Sequence, residues 1–171
     1  MPLIELQPWS DENLSLLAGL NTPEMTKFLG GPESEEQLLR RHKRYLEAAE
    51  LPTVRVFKIA FGSDLLPVGQ VCYWERNWRG QLVWEGGWSV LPAYQGQGIA
   101  SQAITLLLEQ ARSERKHRYL HAFPSVENTA SNALCRKLGF SKMEECDFEY
   151  PPGHSMRCND WQIDLFGGNK L

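Results

Sequence analysis

Residues 94–101 read Tyr-Gln-Gly-Gln-Gly-Ile-Ala-Ser, two glycines where a strand pattern gives way to a long helix pattern. Glycine lets the backbone approach a ligand closely, and the first N–H groups of a helix point outward with the positive end of its dipole. A phosphate or pyrophosphate is the natural guest, and a plain strand-to-helix turn is the bland alternative. Neither common nucleotide loop fits. The Lys and Ser/Thr of a G-x-x-x-x-G-K-[ST] loop are missing, and Ser101 stands where a dinucleotide fingerprint needs its third glycine. The loop also falls mid-chain, behind an antiparallel meander, whereas that fingerprint opens a parallel βαβ unit.

Other reactive side chains are scattered. Cys72, Cys135, Cys146 and Cys158 form no CxxC pair, so neither a disulfide framework nor a zinc site is expected. His42, His117, His121 and His154 show no metal-ligand spacing. Each reads as a core or surface histidine, and His121, alternating with aromatic residues on a strand, has a base role as its alternative. The stretch Trp74 to Gly80 mixes aromatic and charged residues at a hairpin tip. It edges an acceptor pocket, mediates contacts in a homodimer, or is explained by sheet packing and exposure.

The elements that must position these groups follow from periodicity. Leu3 to Leu6 reads as a first strand. Ser10 caps a helix through Leu20, and Thr22-Pro23-Glu24 starts a second one, stopped by Gly30-Gly31-Pro32. Ser34 to Gln37 is a capping box, followed by Leu38, His42, Tyr45, Leu46 and Ala49 at helical spacing. Arg40, Arg41, Lys43, Arg44 and Glu47 line the other faces, a solvated surface before a binding patch. Val54–Phe61, Val68–Trp74 and Leu82–Val90 read as strands joined by short turns, hence antiparallel, with Gly86-Gly87 marking a bulge or a close backbone approach. A long helix follows the glycine loop, with Ile99, Ala103, Leu106, Leu107 and Ala111 as its buried stripe. Tyr119–Phe123 is a crossover strand. Asn128 caps a helix with Ala130, Leu134 and Leu138 on one face, ended by Gly139. Two strands close the chain, from Phe140 and from Met156 to Leu165, and Gly167-Gly168-Asn169 reads as a frayed tail. The class is α/β, with a mixed, mostly antiparallel sheet of about seven strands and flanking helices.

Composition bounds the function. The chain has 171 residues, 42% hydrophobic and 23% charged, which suits one globular domain and excludes global disorder. A net charge of -3 argues against bulk binding to nucleic acid. No apolar run has the length of a membrane span and residues 1–20 lack the pattern of a signal peptide, so the cytoplasm is the default compartment and no membrane partner is expected.

Gln95-x-x-Gly98-x-Ala100 matches the acetyl-CoA loop of the GNAT acetyltransferase superfamily, Q/R-x-x-G-x-G/A. The longer stretches from Glu85 to Ala100 and from Glu127 to Phe140 resemble the branch that contains the ribosomal-protein N-terminal acetyltransferases. Two motifs in the right order are far more specific than one. The resemblance covers most of the chain and is weakest before residue 50. It implies a single GNAT-like domain over 1–171: acceptor-side helices in 1–50, an acetyl-CoA-binding core in 51–140 and a C-terminal hairpin in 141–165, with a cofactor slot where the sheet splays.

The resemblance also implies roles. Backbone N–H groups of Gln95, Gly96, Gln97, Gly98, Ile99 and Ala100 hold the CoA pyrophosphate. The strand end from Trp88 through Ser89 to Val90 pairs with the pantetheine arm and polarises the thioester carbonyl. Asn128 contacts the arm, caps its helix, or does both, and Ser131 and Asn132 face CoA or serve structure. Acyl transfer to an amine needs a proton acceptor, because a lysine-like ammonium has a pKa of about 10. Glu85 is the candidate base, with a surface carboxylate as the alternative and Glu75 as second choice. The family's tyrosine acid is replaced by Cys135, either a proton donor or a small buried hydrophobe. Ser89 is a polar helper or a plain strand serine. The implied reaction is direct attack of a primary amine on acetyl-CoA in a ternary complex. The acceptor is a protein N-terminus, a small polyamine or amino acid, or an aminoglycoside. A non-catalytic acyl-CoA sensor or scaffold is the alternative from another class.

Overall fold

The structure, a computed structural model, describes residues 3–167. Its sheet is organised around the two-residue turn Arg79–Gly80. Both residues have positive φ (54° and 82°), as a tight hairpin turn requires, and the Asn77 side chain accepts the Gly80 N–H at 3.0 Å. Counting outward from this turn pairs β3 (Leu66–Trp78) with β4 (Gln81–Val90) without interruption, from Trp78 opposite Gln81 to Gly69 opposite Val90. The expected bulge at Gly86-Gly87 is therefore absent from this ladder. Strands β1 (Ile4–Pro8) and β2 (Val54–Phe61) extend the meander. Strand β5 (Tyr119–Ala122) lies parallel to β4, and β7 (Ser155–Asp164) and β6 (Ser141–Glu149) complete a seven-stranded sheet of order β1-β2-β3-β4-β5-β7-β6.

Helices cover both faces. The helix α3 (Ile99–Glu114) buries Ile99, Ala103, Ile104, Leu107, Leu108 and Ala111 against Val71, Tyr73 and Trp84 of the sheet. Leu106 is only partly buried, so the stripe is rotated toward Ile104 and Leu108 relative to the sequence reading. On the other face, α1 (Leu14–Gly19) and α2 (Glu35–Glu47) bury Leu16, Leu17 and Leu38 over Val56 and Cys72. Ala48 is buried there while Ala49 is exposed, because the chain tightens into a 3-10 turn at Ala48–Glu50. No helix among the described residues is long and apolar enough to cross a membrane.

Two expected helices differ. Ser10 starts a 3-10 turn over Asp11–Asn13 before α1, because the buried Asn13 side chain accepts the Ser10 N–H at 2.9 Å and tightens the first turn. After Thr22 the capping contact forms, with Met25 N–H on Thr22 Oγ1 at 3.2 Å, but the segment remains a run of turns. Gly31 N–H takes the Thr26 carbonyl at 3.1 Å, so no further helical bonds propagate. Gly168 and Asn169 of the expected tail lie outside the described residues.

The helix α4 (Thr129–Lys137) is pinned to β7 by one side chain. Asn132 Oδ1 accepts from Asn159 Nδ2 and Trp161 Nε1, both at 2.8 Å. Its Nδ2 donates to the carbonyls of Ser125 (2.9 Å) and Asn128 (2.8 Å). Removing it strands several buried partners. Asn132→Ala is expected to lose about 3 kcal/mol of stability in denaturant titration, as unpaired buried groups cost about 1–3 kcal/mol each. A loss within experimental error would refute the pin.

Candidate active site

Beyond Glu85 the sheet opens. Strand β4 pairs with β5 only at Trp84–Leu120 and Glu85–His121. The chain after β5 follows β7 instead: Asn159 N–H bonds to Pro124 O at 3.0 Å, and Ser125 forms a bridge with Cys158. Gly86 marks the point of divergence. A Cβ there would lie 3.0 Å from Leu120 Cδ2, so glycine lets the leucine pack against the strand where pairing stops. The gap leaves one edge of β4 bare. Leu91 N–H bonds to Val68 O across β3, whereas Val90 O turns the other way and is taken by Gln95 Nε2 at 2.8 Å. Backbone direction alternates along a strand, so the N–H and C=O of Trp88 also face the gap.

The glycine loop closes one end. Pro92–Tyr94 makes a single 3-10 turn, and Gly96 and Gly98 follow with φ of 72° and 79°, a left-handed region that only glycine adopts freely. A Cβ on Gly98 would meet no atom within 4 Å among the described residues, so the glycines leave room for a guest. The first helical bond of α3 is Gln102 N–H to Gly98 O, at 3.1 Å. The N–H groups of Ile99, Ala100 and Ser101 are left without helical partners.

Loop and gap belong to one cavity of about 850 Å³. Its walls include Trp88, Ser89 and Val90 of β4, Gln95, Gly96, Gly98, Ile99 and Ala100 of the loop, and Asn128 and Ser131 of α4. These ten of the predicted site residues are thus brought together with Glu85. Asn128 lines the cavity while its side chain accepts Ser131 N–H at 3.1 Å as the helix cap. Three predicted residues stand apart. Gln97 turns outward, its Nε2 on Ala93 O at 3.3 Å. Asn132 is the structural pin described above. Cys135 is fully buried among core residues including Phe140 and Trp161, and burial pushes its thiol up to about 12. On α4 the cavity is reached by Ala130, Ser131, Leu134 and Lys137, so Ala130 lines the slot and is not core.

Glu85 sits on the opposite side of the sheet from α3, in the row Glu85, Gly87, Ser89 facing Trp74, Cys72, Gln70 across β3. It is 6% exposed. Burial raises its carboxyl above the usual carboxylate range, while the Arg76 guanidinium, 3.0 Å away, pulls it partly back. Arg76 is itself held over the ring of Phe148, 4.4 Å from the centroid, with Trp78 and Phe123 farther out. Behind this pair the buried His121 shares a 2.6 Å contact with Asp160, whose other oxygen accepts Trp78 Nε1 at 3.1 Å. His121 is thereby a core histidine with fixed partners. The second-choice base is displaced entirely: Glu75 faces the α3 side, and Lys116 at 2.6 Å and His117 at 2.7 Å hold its carboxyl below the usual range.

The resemblance placed acceptor-side helices in 1–50, but the sequence reading named no residue of the far wall and gave the last hairpin no part in it. Arg41 and Tyr45 of α2, the turns at 24–29, and Phe148, Tyr150 and Met156 of the last hairpin all line the cavity. Arg41 leaves the solvated basic face of α2 to pair with Glu33. Of the hairpin stretch 74–80, Trp74 lines the cavity, and Trp78 packs edge-on against Phe123 at 4.7 Å. The register counted from Arg79–Gly80 was the available signal for Gln70, Cys72 and Trp74.

The family profile for the acetyltransferase (GNAT) domain matches residues 4–141. The chain belongs to the GNAT acetyltransferase family. It is an acetyl-CoA-dependent N-acetyltransferase by that membership. A comparison with curated protein sequences finds no match. Solved structures share the fold. An acetyltransferase from Salmonella typhimurium that modifies the N-terminal serine of ribosomal protein L7/L12 aligns with TM-score 0.76 and 19% identity, over 94% of each chain. The spermidine N-acetyltransferase of Vibrio cholerae, with CoA and spermine, aligns with TM-score 0.78 and 18% identity over 95% of each chain. A ribosomal L7/L12 α-N-protein acetyltransferase with CoA disulfide-bonded to one of its cysteines aligns with TM-score 0.76 and 18% identity, over 94% of this chain and 93% of that one.

If the loop holds a pyrophosphate, filling it is decisive. Gly98→Trp is expected to weaken acetyl-CoA binding at least tenfold in calorimetric titration, with about 1–2 kcal/mol lost from stability through the left-handed backbone. Unchanged affinity would remove the loop from the binding site.

Proposed function

We propose that this chain moves the acetyl group of acetyl-CoA to a primary amine by direct attack in a ternary complex. The observation that carries the reading is a single cavity with a helix-N-terminal glycine loop at one end, a bare strand edge in the middle and a buried carboxylate at the other. Each part answers a need of the reaction. The loop N–H groups of residues 96 and 98–101 suit a pyrophosphate, and Lys137 of α4 adds a cation to the same cavity. The unpaired edge at Trp88 offers main-chain partners to the amide-bearing pantetheine arm, and an N–H for the oxyanion that forms on the thioester carbonyl. Glu85 takes a proton from the incoming ammonium, directly or through one water, so that a neutral amine attacks.

The protons then balance without a further acid. The nitrogen attacks the carbonyl carbon and the C–S bond breaks as the tetrahedral adduct collapses. The adduct nitrogen still carries an excess proton, and that proton goes to the departing sulfur. Glu85 returns its own proton to solvent. A sensor that only binds acyl-CoA would have no use for the buried base.

Two predictions separate the roles. The base must be ionised to work, so the rate rises with pH through the Glu85 pKa, and burial places that limb above the usual carboxylate range. Arg76 opposes the shift, so Arg76→Gln is expected to move the limb to higher pH with the maximal rate largely regained there. Glu85→Gln is expected to lower kcat roughly a hundredfold and to abolish the limb. Thiol release followed from pH 5 to pH 9, taken as roughly spanning the carboxylate and histidine ranges, checks both, and a wild-type profile for Glu85→Gln would remove it as base.

Cys135 is the other test. In the CoA-disulfide structure a cysteine of that protein reaches the cofactor sulfur, whereas Cys135 lies one position round α4 from the slot-lining Leu134. Cys135→Ala is expected to keep kcat within about twofold while losing about 1 kcal/mol of stability from the lost sulfur packing. A tenfold fall in kcat with folding intact would restore it as the proton donor.

A further inference from the structure

The acceptor end of the cavity differs in chemistry from the CoA end. Its walls include Tyr45, Trp74, Phe148, Tyr150 and Met156, brought together from α2, from β3 and from the last hairpin, while Met25 lies nearer the loop, its Sδ 3.5 Å from Gln95 Nε2. Rings and thioethers of this kind suit flat or branched apolar groups. Its charges are few and mostly spoken for. Among the described residues lining the cavity, the carboxylates are Glu24 and Glu85. Glu85 is paired with Arg76 at 3.0 Å. Glu24 is exposed at the rim, where the exposed Lys27 shares its turn. Arg41 presents a further cation, held by Glu33.

We infer that the acceptor is a primary amine bearing a single positive charge on an apolar, preferably aromatic, body, and that polycationic amines are poor acceptors. The inference rests on the acyl-transfer reading above and concerns the same site. One ammonium finds one carboxylate, Glu85, which must take its proton. A second or third ammonium, as on a polyamine or an aminoglycoside, finds no unpaired buried carboxylate among the described lining residues, and at the rim it meets Lys27 beside the exposed Glu24. Aromatic faces attract a cation, but that attraction is smaller than the cost of leaving a desolvated charge without a buried counter-ion. An apolar body instead covers the rings and loses water from both surfaces. The same chemistry is offered by a free arylalkylamine and by a peptide whose first residue is aromatic.

The test is thiol release with acetyl-CoA and four amines: 2-phenylethylamine, a C-terminally amidated tripeptide beginning with phenylalanine, spermidine and kanamycin. Acetyl-CoA binding is measured in parallel by calorimetry. The expected result is a kcat/KM for one of the aromatic monoamines about tenfold or more above either polycation, and the faster of the two aromatic probes names the source. Lys27→Glu is expected to raise spermidine relative to 2-phenylethylamine by about threefold, because it removes one repelling charge and adds an attracting one at the rim. A polycation used as well as the aromatic probes overturns the inference and leaves acyl transfer standing. An unchanged ratio in Lys27→Glu overturns the electrostatic exclusion. Acetyl-CoA binding with no thiol release from any amine overturns the acyl-transfer reading, and this inference with it.

Discussion

From Gly86 onward, strand β4 has a hydrogen-bonded neighbour on one side only. A strand inside a sheet normally satisfies its backbone on both sides, and unpaired N–H and C=O groups away from water are costly. Here the bare edge lies in the middle of a seven-stranded sheet. Much of the surrounding structure serves to keep it bare. Asn159 and Ser125 tie the continuation of β5 to β7 and so away from β4. Asn132 fixes α4 to β7 and holds the far wall of the gap in place. The Gln95 side chain takes the last carbonyl, Val90 O, and so ends the open edge where the loop begins. The result is a sheet with a strand missing over a few residues, and an extended amide-bearing ligand supplies the missing pairing in the manner of β-augmentation.

The same divergence explains the electrostatics of Glu85. The carboxylate occupies the last paired position before the gap, so it is enclosed by the ladder on one side and open to the cavity on the other. Burial alone would push a carboxyl there further above the usual carboxylate range. Arg76, stacked on Phe148 and braced by Trp78, keeps the pair together without filling the cavity. The aromatic rings thus do two things at once. They pack the helix-free part of this face, and they fix the guanidinium that most restrains the base.

Much of this was legible in the sequence. The switch of period from helix to strand, the glycine pair and the Asn128 cap are local signals, and local signals gave the element order, the loop and the crossover. For Asn132 and Cys135 two readings were open, a part in the site or a part in the core, because a helical stripe on α4 does not say whether a sheet or a slot receives it; the structure takes the second for both and puts Ala130 in the slot. Propensity placed a helix after Thr22, but the Thr26 carbonyl takes the N–H groups of both Leu29 and Gly31 and the segment stays a run of turns. Arg41 was indistinguishable from its solvated neighbours until Glu33 and the cavity were seen together. The far wall was hidden because Tyr45, Phe148 and Tyr150 come from segments distant in sequence, and only the tertiary fold joins them.

The two halves of the site are therefore built from different materials. The cofactor half consists mostly of main chain: helix N–H groups, a strand edge, and glycines whose role is to be absent. Main-chain geometry survives substitution of most side chains, which is consistent with one fold recurring at low identity among enzymes whose names carry different acceptors. The acceptor half consists of side chains drawn from α2, the turns before it and the terminal hairpin. Each of those can change without disturbing the gap, because none of them supplies its backbone. Specificity in this architecture is thus free to drift while the reaction stays fixed. The acceptor of this chain has to be read from its own rings and charges, since the shared scaffold carries information about acetyl-CoA alone.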